Sequence, residues 1–371
     1  MIKVIADQNL YRLEEFLPQD VDLTTYDPNS GFPETSGFDA LLIRTVSKLN
    51  SDTFPSIPPS LKFVGTGSSG SDHVDIEYLK SNNIEFTDAL GNNAQAVAEY
   101  VITALLIWRE EKSKSLSDFT YGIIGVGKAG SAVAKIFASF GLNVVLYDPP
   151  RAEREPDFIS SSLENVLSCD VLTFHTPLTT NGENPTFHWL DEEKLSGRSF
   201  ELIINAARGG IIDETAISNA IDLGCVKNII IDVWENEPDF NPDFASQAFI
   251  ATPHIAGYSE QSKLNASKMV CAKLCSFFEL NCPPTKNLYP IKELKPAHLR
   301  YSFEELLLRL HPIKEYDAAL RDLVNRSDKT TLFQKLRIDR PYRFEYGFLK
   351  LEQSLLNGFE DLKRLGVKNS S

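Results

Sequence analysis

The chain has 371 residues, of which 42% are hydrophobic and 24% charged, and its formal net charge is −14 at pH 7. That composition excludes a largely disordered chain, and at ~100–200 residues per domain the length calls for about two or three domains. The acidic excess excludes nucleic acid and an anionic membrane surface as expected partners, because either selects a basic face.

The start, Met1-Ile2-Lys3-Val4-Ile5-Ala6-Asp7, meets an acid too soon for the ~7–15-residue apolar core of a signal peptide, and no run approaches the ~18 apolar residues of a membrane helix. A cytoplasmic location is therefore expected. The cysteines are Cys169, Cys225, Cys271, Cys275 and Cys282. An odd number without a tight framework suits reduced thiols, and no histidine stands near Cys271, Cys275 and Cys282, so no metal site is expected.

Lys3–Ala6, Ala40–Ile43 and Phe63–Thr66 read as strands, with helical stretches of mixed polarity between and after them, as from Asp75 to Ser81. Asn93 to Glu110 reads as a long helix, its apolar Val97, Val101, Ala104 and Leu105 at spacings of three and four. A second series follows. Its strands are Tyr121–Ile124, Asn143–Tyr147, Val171–Phe174, Leu202–Ile204 and Ile229–Ile231. A helix is expected from Ser131 to Phe140, and further helices start near Ser161, Asp191 and Asp213. Lys263 to Leu280 is again helical, and Phe303 to Arg309 is a helical stretch of the tail. Alternating strands and helices predict an α/β fold of two Rossmann-like parallel-sheet domains. Residues 291–371 hold 16 basic and 12 acidic groups, net +4, against −18 for the rest. That shift and the prolines of Cys282-Pro283-Pro284 place a boundary near residue 288.

Gly125-Val126-Gly127-Lys128-Ala129-Gly130 follows an expected strand and opens a helix, the context a dinucleotide-binding loop requires. Gly125 permits the turn, Gly127 the approach of a pyrophosphate, and Gly130 close packing of helix on strand, while the helix N-terminus offers free N–H groups. Asp148 ends the next strand eighteen residues past Gly130, where a carboxylate accepts from ribose hydroxyls and repels a 2′-phosphate. NAD is thus the expected cofactor, with Arg151 close enough to weaken the preference over NADP.

Three further segments fall after strands of the second series: Asn205 to Gly210, Asp232 to Pro238, and Pro253 to Gly257. Ligands of such sheets bind beyond the carboxyl ends of the strands, so the three are expected to converge. Hydride transfer from an alcohol needs a base for the hydroxyl proton, a group to orient that base, and a cation for a substrate carboxylate. His254, Glu237 and Arg208 supply these chemistries. Alone, each has a structural reading: Arg208 as an ion-pair partner, Glu237 as a solvated loop acid, His254 as a satisfied structural histidine. Together, in this order after the glycine loop, they point to catalysis.

With these motifs the chain resembles the D-isomer-specific 2-hydroxyacid dehydrogenases, over about residues 1–285. Further matches are Ile43 to Lys48, Gly65-Thr66, Asp72 to Asp75, Asp148 to Arg151, Thr173 to Leu178 and His254 to Tyr258. The resemblance implies NAD-dependent oxidation of a small phosphorylated 2-hydroxy acid, with Arg208 and Glu237 in the active site and His254 as acid/base. It implies that Asp148, Thr176, the Ala206-Ala207-Arg208 backbone, Asp232 and Gly257 touch NAD, although Asp232 also reads as a core-capping acid. Thr45, Thr66 and Tyr258 would touch substrate. Arg44 and Lys48 are the candidates for its phosphate, with Arg340 or Arg343 from a partner subunit's tail as possible additions. The implied organisation is a discontinuous substrate domain (1–95 and 258–287), an NAD-binding domain (96–257) and a C-terminal homodimerisation domain (288–371), with a cleft that closes on substrate. Leu90 and Asn92 depart from the family, which often has Pro and Cys there; Asn93 and Glu99 fit it. Another D-2-hydroxyacid dehydrogenase is the nearest rival, and a non-enzymatic NAD sensor the rival of another class.

Overall fold

The computed structural model describes residues 1–284, 289–293 and 301–370, with the side chains at 354 and 355 excepted. Two compact units emerge, Met1–Asn93 with Glu260–Pro290, and Ala94–Ser259 with Ile291–Ser371. The expected boundary near 288 lies outside the described residues.

The first unit is a five-stranded parallel sheet of β1 (Ile2–Asp7), β2 (Val21–Tyr26), β3 (Ala40–Ile43), β4 (Phe63–Thr66) and β5 (Glu85–Thr87), in the order β2-β1-β3-β4-β5. Its central strands β3 and β4 are buried at every position because both faces are covered. Leu41, Ile43 and Val64 enter one core, while Ala40, Leu42 and Phe63 enter the other. The helix Glu260–Phe277 fills that second core with Leu264, Val270 and Leu274, which is why a distant segment folds with the N-terminal one. Between β1 and β3 the expected helix is replaced by two short 3-10 turns, Leu13–Phe16 and Pro28–Ser30, and by β2. β2 lies at the sheet edge with an alternating, half-buried pattern, so it lacks the continuous apolar run that marks its neighbours.

The thiol expectation is corrected here. Cys275 and Cys282 form a disulfide, and the free cysteines are Cys169, Cys225 and Cys271. After Phe277 the chain folds back over the last helical turn, with Leu280 N donating to Cys275 O at 2.8 Å. The two Cα atoms come to 6.0 Å, within the span of a disulfide. Sequence spacing carries no sign of that reversal.

The second unit is a six-stranded parallel sheet of β6 (Thr120–Ile124), β7 (Asn143–Tyr147), β8 (Val171–Phe174), β9 (Leu202–Asn205), β10 (Ile229–Ile231) and β11 (Ile250–Ala251), in the order β11-β10-β9-β8-β6-β7. The chain leaves β6 on one side for β7 and on the other for β8. The order therefore reverses between β6 and β8, and a crevice opens at their carboxyl ends. Helices start where short acceptors cap them: Ser162, Asp191 and Asp213 each accept a backbone N–H of the first turn.

The helix Ala94–Lys112 is buried from Ala96 to Trp108 on all its faces, not along the narrow stripe the spacing predicts. The tail covers part of it: the Thr103 and Tyr346 hydroxyls are 2.7 Å apart. Glu99, fully buried, accepts from Arg343 Nη1 at 2.6 Å and from Tyr346 N at 3.0 Å. The tail carries the helices Phe303–Leu310, Ile313–Arg321 and Lys329–Ile338 and a small parallel sheet of Lys292–Glu293, Leu349–Glu352 and Lys368–Ser370. Leu306, Leu307 and Ile313 enter one core of the second unit, and Leu320, Leu323 and Phe333 the other. That burial is why the tail groups with residues 94–259. Among the described residues no helix is long and apolar enough to cross a membrane.

Candidate active site

The glycine loop occupies the β6–β8 crevice. Gly125 has φ +83°, and a Cβ there would lie 2.8 Å from His175 C and Thr176 N, so both conformation and space demand glycine. A Cβ on Gly130 would lie 2.0 Å from Gly125 O, which welds the helix Lys128–Ser139 to the loop. Gly127 differs: a Cβ there meets nothing within 4 Å, and no side chain caps the helix it precedes. Its helix N-terminus is open, with Gly127 and Lys128 exposed, Ala129 half-buried and Val126 buried. Beside it, Thr176 Oγ1 and His175 Nδ1 are buried without a hydrogen-bond partner. Burial pushes the His175 ring down to about 3, so it stays neutral, with Nε2 at 3.0 Å from Thr173 Oγ1. Open glycine, free N–H groups and an orphaned hydroxyl fit a polar dinucleotide.

Asp148 ends β7 and turns into the loop. Its Oδ2 accepts from Val126 N at 2.7 Å and its Oδ1 from Arg151 N at 3.0 Å. The Arg151 guanidinium donates to Val126 O at 2.6 Å, to Ser131 Oγ at 3.1 Å and to Glu155 at 2.8 Å. Arg151 is thus engaged by the loop itself, with its charge paired to Glu155.

The loops after β9, β10 and β11 are tied to one another. Asn205 closes the turn at Arg208, donating to Arg208 O at 3.0 Å and accepting from Ala207 N at 3.2 Å. Ala206 and Ala207 are buried, and Arg208 Nη1 donates to Ala207 O at 2.8 Å. A Cβ on Gly209 would lie 1.8 Å from Trp234 O, so only glycine lets the β9 and β10 loops meet. Trp234 Nε1 donates to Thr252 O at 2.9 Å, and His254 N to Asp232 O at 2.7 Å. Asp232 is fully buried and accepts from Thr252 Oγ1, Ile255 N and Ala256 N at 2.6, 2.8 and 2.9 Å. Burial pushes its carboxyl up, opposed by His254, and its three bonds fix the turn that presents His254 and the half-buried Gly257.

His254 sits in the left-handed region, φ 56°, a strained backbone for a non-glycine residue. Its Nδ1 is 2.7 Å from Glu237 Oε1. A carboxylate can only accept, so Nδ1 carries the hydrogen and Nε2 is the basic nitrogen. Burial pushes the Glu237 carboxyl up, but His254 and then Arg337 more than offset it, and the net shift is downward. An oriented imidazole backed by an ionised carboxylate can accept or return a proton.

Within the first unit, Arg44 and Thr45 follow β3, and Thr66 ends β4. Arg44 Nε donates to the buried Asp7 at 2.9 Å, so its charge is largely paired. Thr45 and Lys48 are exposed, and Thr45 N donates to Ser68 Oγ at 3.1 Å. Thr66 is buried, its hydroxyl 2.9 Å from His73 Nε2. Arg343 and Arg340 are engaged in their own chain, by Glu99 and by Glu315, each at 2.6 Å.

Two features escaped sequence reasoning. His188 N donates to Gly210 O at 2.7 Å, and the His188 ring faces Glu235 at 2.9 Å and Asp213 at 3.5 Å, which pins the Arg208 loop. Arg337, on the helix Lys329–Ile338, stands 3.6 Å from Glu237 Oε1. Neither lies in a motif, and Arg337 is far along the chain from the loops it meets.

A doubly wound sheet with an open glycine loop, and an imidazole–carboxylate pair beyond the same strand ends, defines an NAD-dependent dehydrogenase. Residues 94–256 match the D-isomer specific 2-hydroxyacid dehydrogenase, NAD binding domain. Erythronate-4-phosphate dehydrogenase of Bacteroides thetaiotaomicron is 36% identical over 93% of this chain and 97% of its own. That of Proteus mirabilis is 35% identical over 94% of each. In fold the chain is similar to D-lactate dehydrogenase from Aquifex aeolicus complexed with NAD and lactic acid. The TM-score is 0.60 at 24% identity, over 75% of this chain and 95% of that one. The chain belongs to the erythronate-4-phosphate dehydrogenase family, among the D-isomer-specific 2-hydroxyacid dehydrogenases.

Proposed function

We propose that the chain oxidises 4-phospho-D-erythronate to (R)-3-hydroxy-2-oxo-4-phosphooxybutanoate with NAD, a step of pyridoxal 5′-phosphate biosynthesis. The observation that carries the reading is the 2.7 Å His254–Glu237 pair, in a chain 36% identical along nearly its whole length to an erythronate-4-phosphate dehydrogenase.

When bound, NAD supplies the hydride acceptor. The residues that would hold it are Gly125 to Gly130, Asp148, Thr176, Ala206, Ala207, Asp232 and Gly257. His254 Nε2 takes the C2 hydroxyl proton as C2 gives up its hydride and the carbonyl forms. Glu237 holds the Nδ1 hydrogen and stabilises the imidazolium. Arg208 grips the substrate carboxylate and opposes charge that develops on the C2 oxygen. Thr45, Thr66 and Tyr258 are assigned to substrate by the same family resemblance. Lys48 is the better phosphate candidate beside Arg44, whose charge is paired with Asp7. The protein acts in the cytoplasm as a homodimer through its tail, a reading tested by sedimentation.

The direct test is NAD reduction by purified protein with 4-phosphoerythronate, 3-phosphoglycerate and D-lactate side by side, in single-turnover mode and with a 2-oxo acid acceptor. Reduction with 4-phosphoerythronate alone is expected. Preference for another acid overturns the substrate, and NAD binding without reduction by any of them overturns the enzyme reading.

A further inference from the structure

We propose that Arg337 is a positioning residue of the same site, sharing the Glu237 carboxylate with His254 and tempering how tightly the pair holds its proton. The proposal rests on the reading of His254 as the acid/base.

Arg337 Nη1 lies 3.6 Å from Glu237 Oε1, and that oxygen accepts from His254 Nδ1 at 2.7 Å. At 3.6 Å the arginine is beyond hydrogen-bond reach, so it acts on the carboxylate by charge and leaves the lone pair to His254. The guanidinium is also held by the Tyr258 side chain, which accepts a hydrogen bond from it, with the Tyr258 ring centroid 5.4 Å from Cζ. Arg337 is therefore in contact with both the carboxylate of the pair and the tyrosine assigned to substrate. Its Nε is buried without a partner, and its side chain is only 23% exposed. A cation buried with an orphaned donor lowers stability, so packing alone gives no reason for it. The charged and titratable groups facing the pair are Glu237 and Asp232 on the β10 loop, His254 and Tyr258 after β11, and Arg337 from the tail.

The direction follows from the charges. Glu237 alone stabilises the imidazolium. A cation 3.6 Å from the same carboxylate oxygen draws on that charge and weakens the stabilisation, so removing it should make the pair hold its proton more tightly. The tail thus contributes to the catalytic pair of its own chain.

The test compares R337M and R337K with the wild-type full-length protein. kcat/KM for 4-phosphoerythronate oxidation is measured against pH, and the His254 ring is titrated by 15N NMR in histidine-labelled protein. In R337M the acidic limb moves to higher pH by about half to one unit, and R337K restores at least half of the shift. The ring titration moves by the same amount, and NAD affinity stays within about twofold. R337Q carries the same expectation should R337M not fold. A uniform loss of kcat/KM at every pH with an unmoved limb, or a shift to lower pH, overturns the proposal. If the wild type does not oxidise 4-phosphoerythronate, the substrate reading fails alone. The ring titration still decides the role of Arg337.

Discussion

Replacing Gly127 and Gly130 by alanine, one at a time, separates the two jobs of the glycine loop. At Gly130 the new methyl would sit 2.0 Å from Gly125 O, 3.0 Å from Gly125 C and 3.4 Å from His175 Cβ. The carbonyl is backbone and must retreat by more than 1 Å, roughly the difference from an ordinary carbon–oxygen contact of about 3.3 Å. Overpacking of this kind costs about 1–3 kcal/mol, and backbone against backbone belongs at the upper end. With about 2–4 °C lost per kcal/mol for a unit of this size, the expected fall in Tm is about 6–12 °C. NAD affinity falls as well, because the helix N-terminus moves away from the crevice. At Gly127 the methyl meets nothing within 4 Å, and φ −69° lies outside the left-handed region, so G127A loses far less Tm than G130A. It nevertheless occupies the space a pyrophosphate must enter. Losing one charge-assisted hydrogen bond, at about 1.5–3 kcal/mol, weakens NAD binding roughly 10- to 150-fold. Thermal unfolding and NADH fluorescence titration read the two effects separately. Wild-type NAD affinity in G127A would refute the cradle, and an unchanged Tm in G130A would refute the packing.

H254A is expected to lower kcat by about 10²–10⁴-fold while NAD affinity stays within about twofold, and equal losses in both would remove its role as acid/base. In D148N an amide oxygen still accepts from Val126 N but the charge is gone, so the NADP/NAD ratio of kcat/KM should rise about tenfold; an unmoved ratio shows that the carboxylate does not select the cofactor. Glu214 is buried and accepts from Glu235 N at 2.8 Å; burial, with Glu235 and Asp213 adding to it, pushes its carboxyl up to about 7. Between an unfolded value of about 4.3 and that value the folded chain holds a proton the unfolded chain has released, so stability falls as pH rises through this window. E214Q removes that slope, and urea melts should show a gain on the order of 1–3 kcal/mol at pH 8 that falls to about a third of that at pH 5. An equal effect at both pH values would show that Glu214 does not titrate there.

Five strands of the second sheet were legible, because buried strands need continuous apolar runs such as Ile229-Ile230-Ile231; the two-residue edge strand Ile250–Ala251 was too short to leave such a run. The glycine loop was legible too, since Gly125 and Gly130 answer to contacts made within a few dozen residues of chain. The capping positions at Asp191 and Asp213 followed from local backbone chemistry alone. Helix Ala94–Lys112 gave up its period but not its full burial, because burial on every side depends on what packs there, and residues 301–370 supply part of that cover.

Sequence by itself determined which chemistry this chain can carry: a dinucleotide loop, an arginine, a carboxylate and an imidazole, each at a strand end. Tertiary structure alone decided how those groups are partnered. Oε1 of Glu237 meets Nδ1 of His254 because Gly209 lets two loops abut and Asp232 fixes a third. Arg337 meets the same oxygen from the tail, Arg44 gives its charge to Asp7, and Cys282 folds back on Cys275. Partners of that kind are set by distances between segments remote in the chain, and residue order records types and spacing but not those distances.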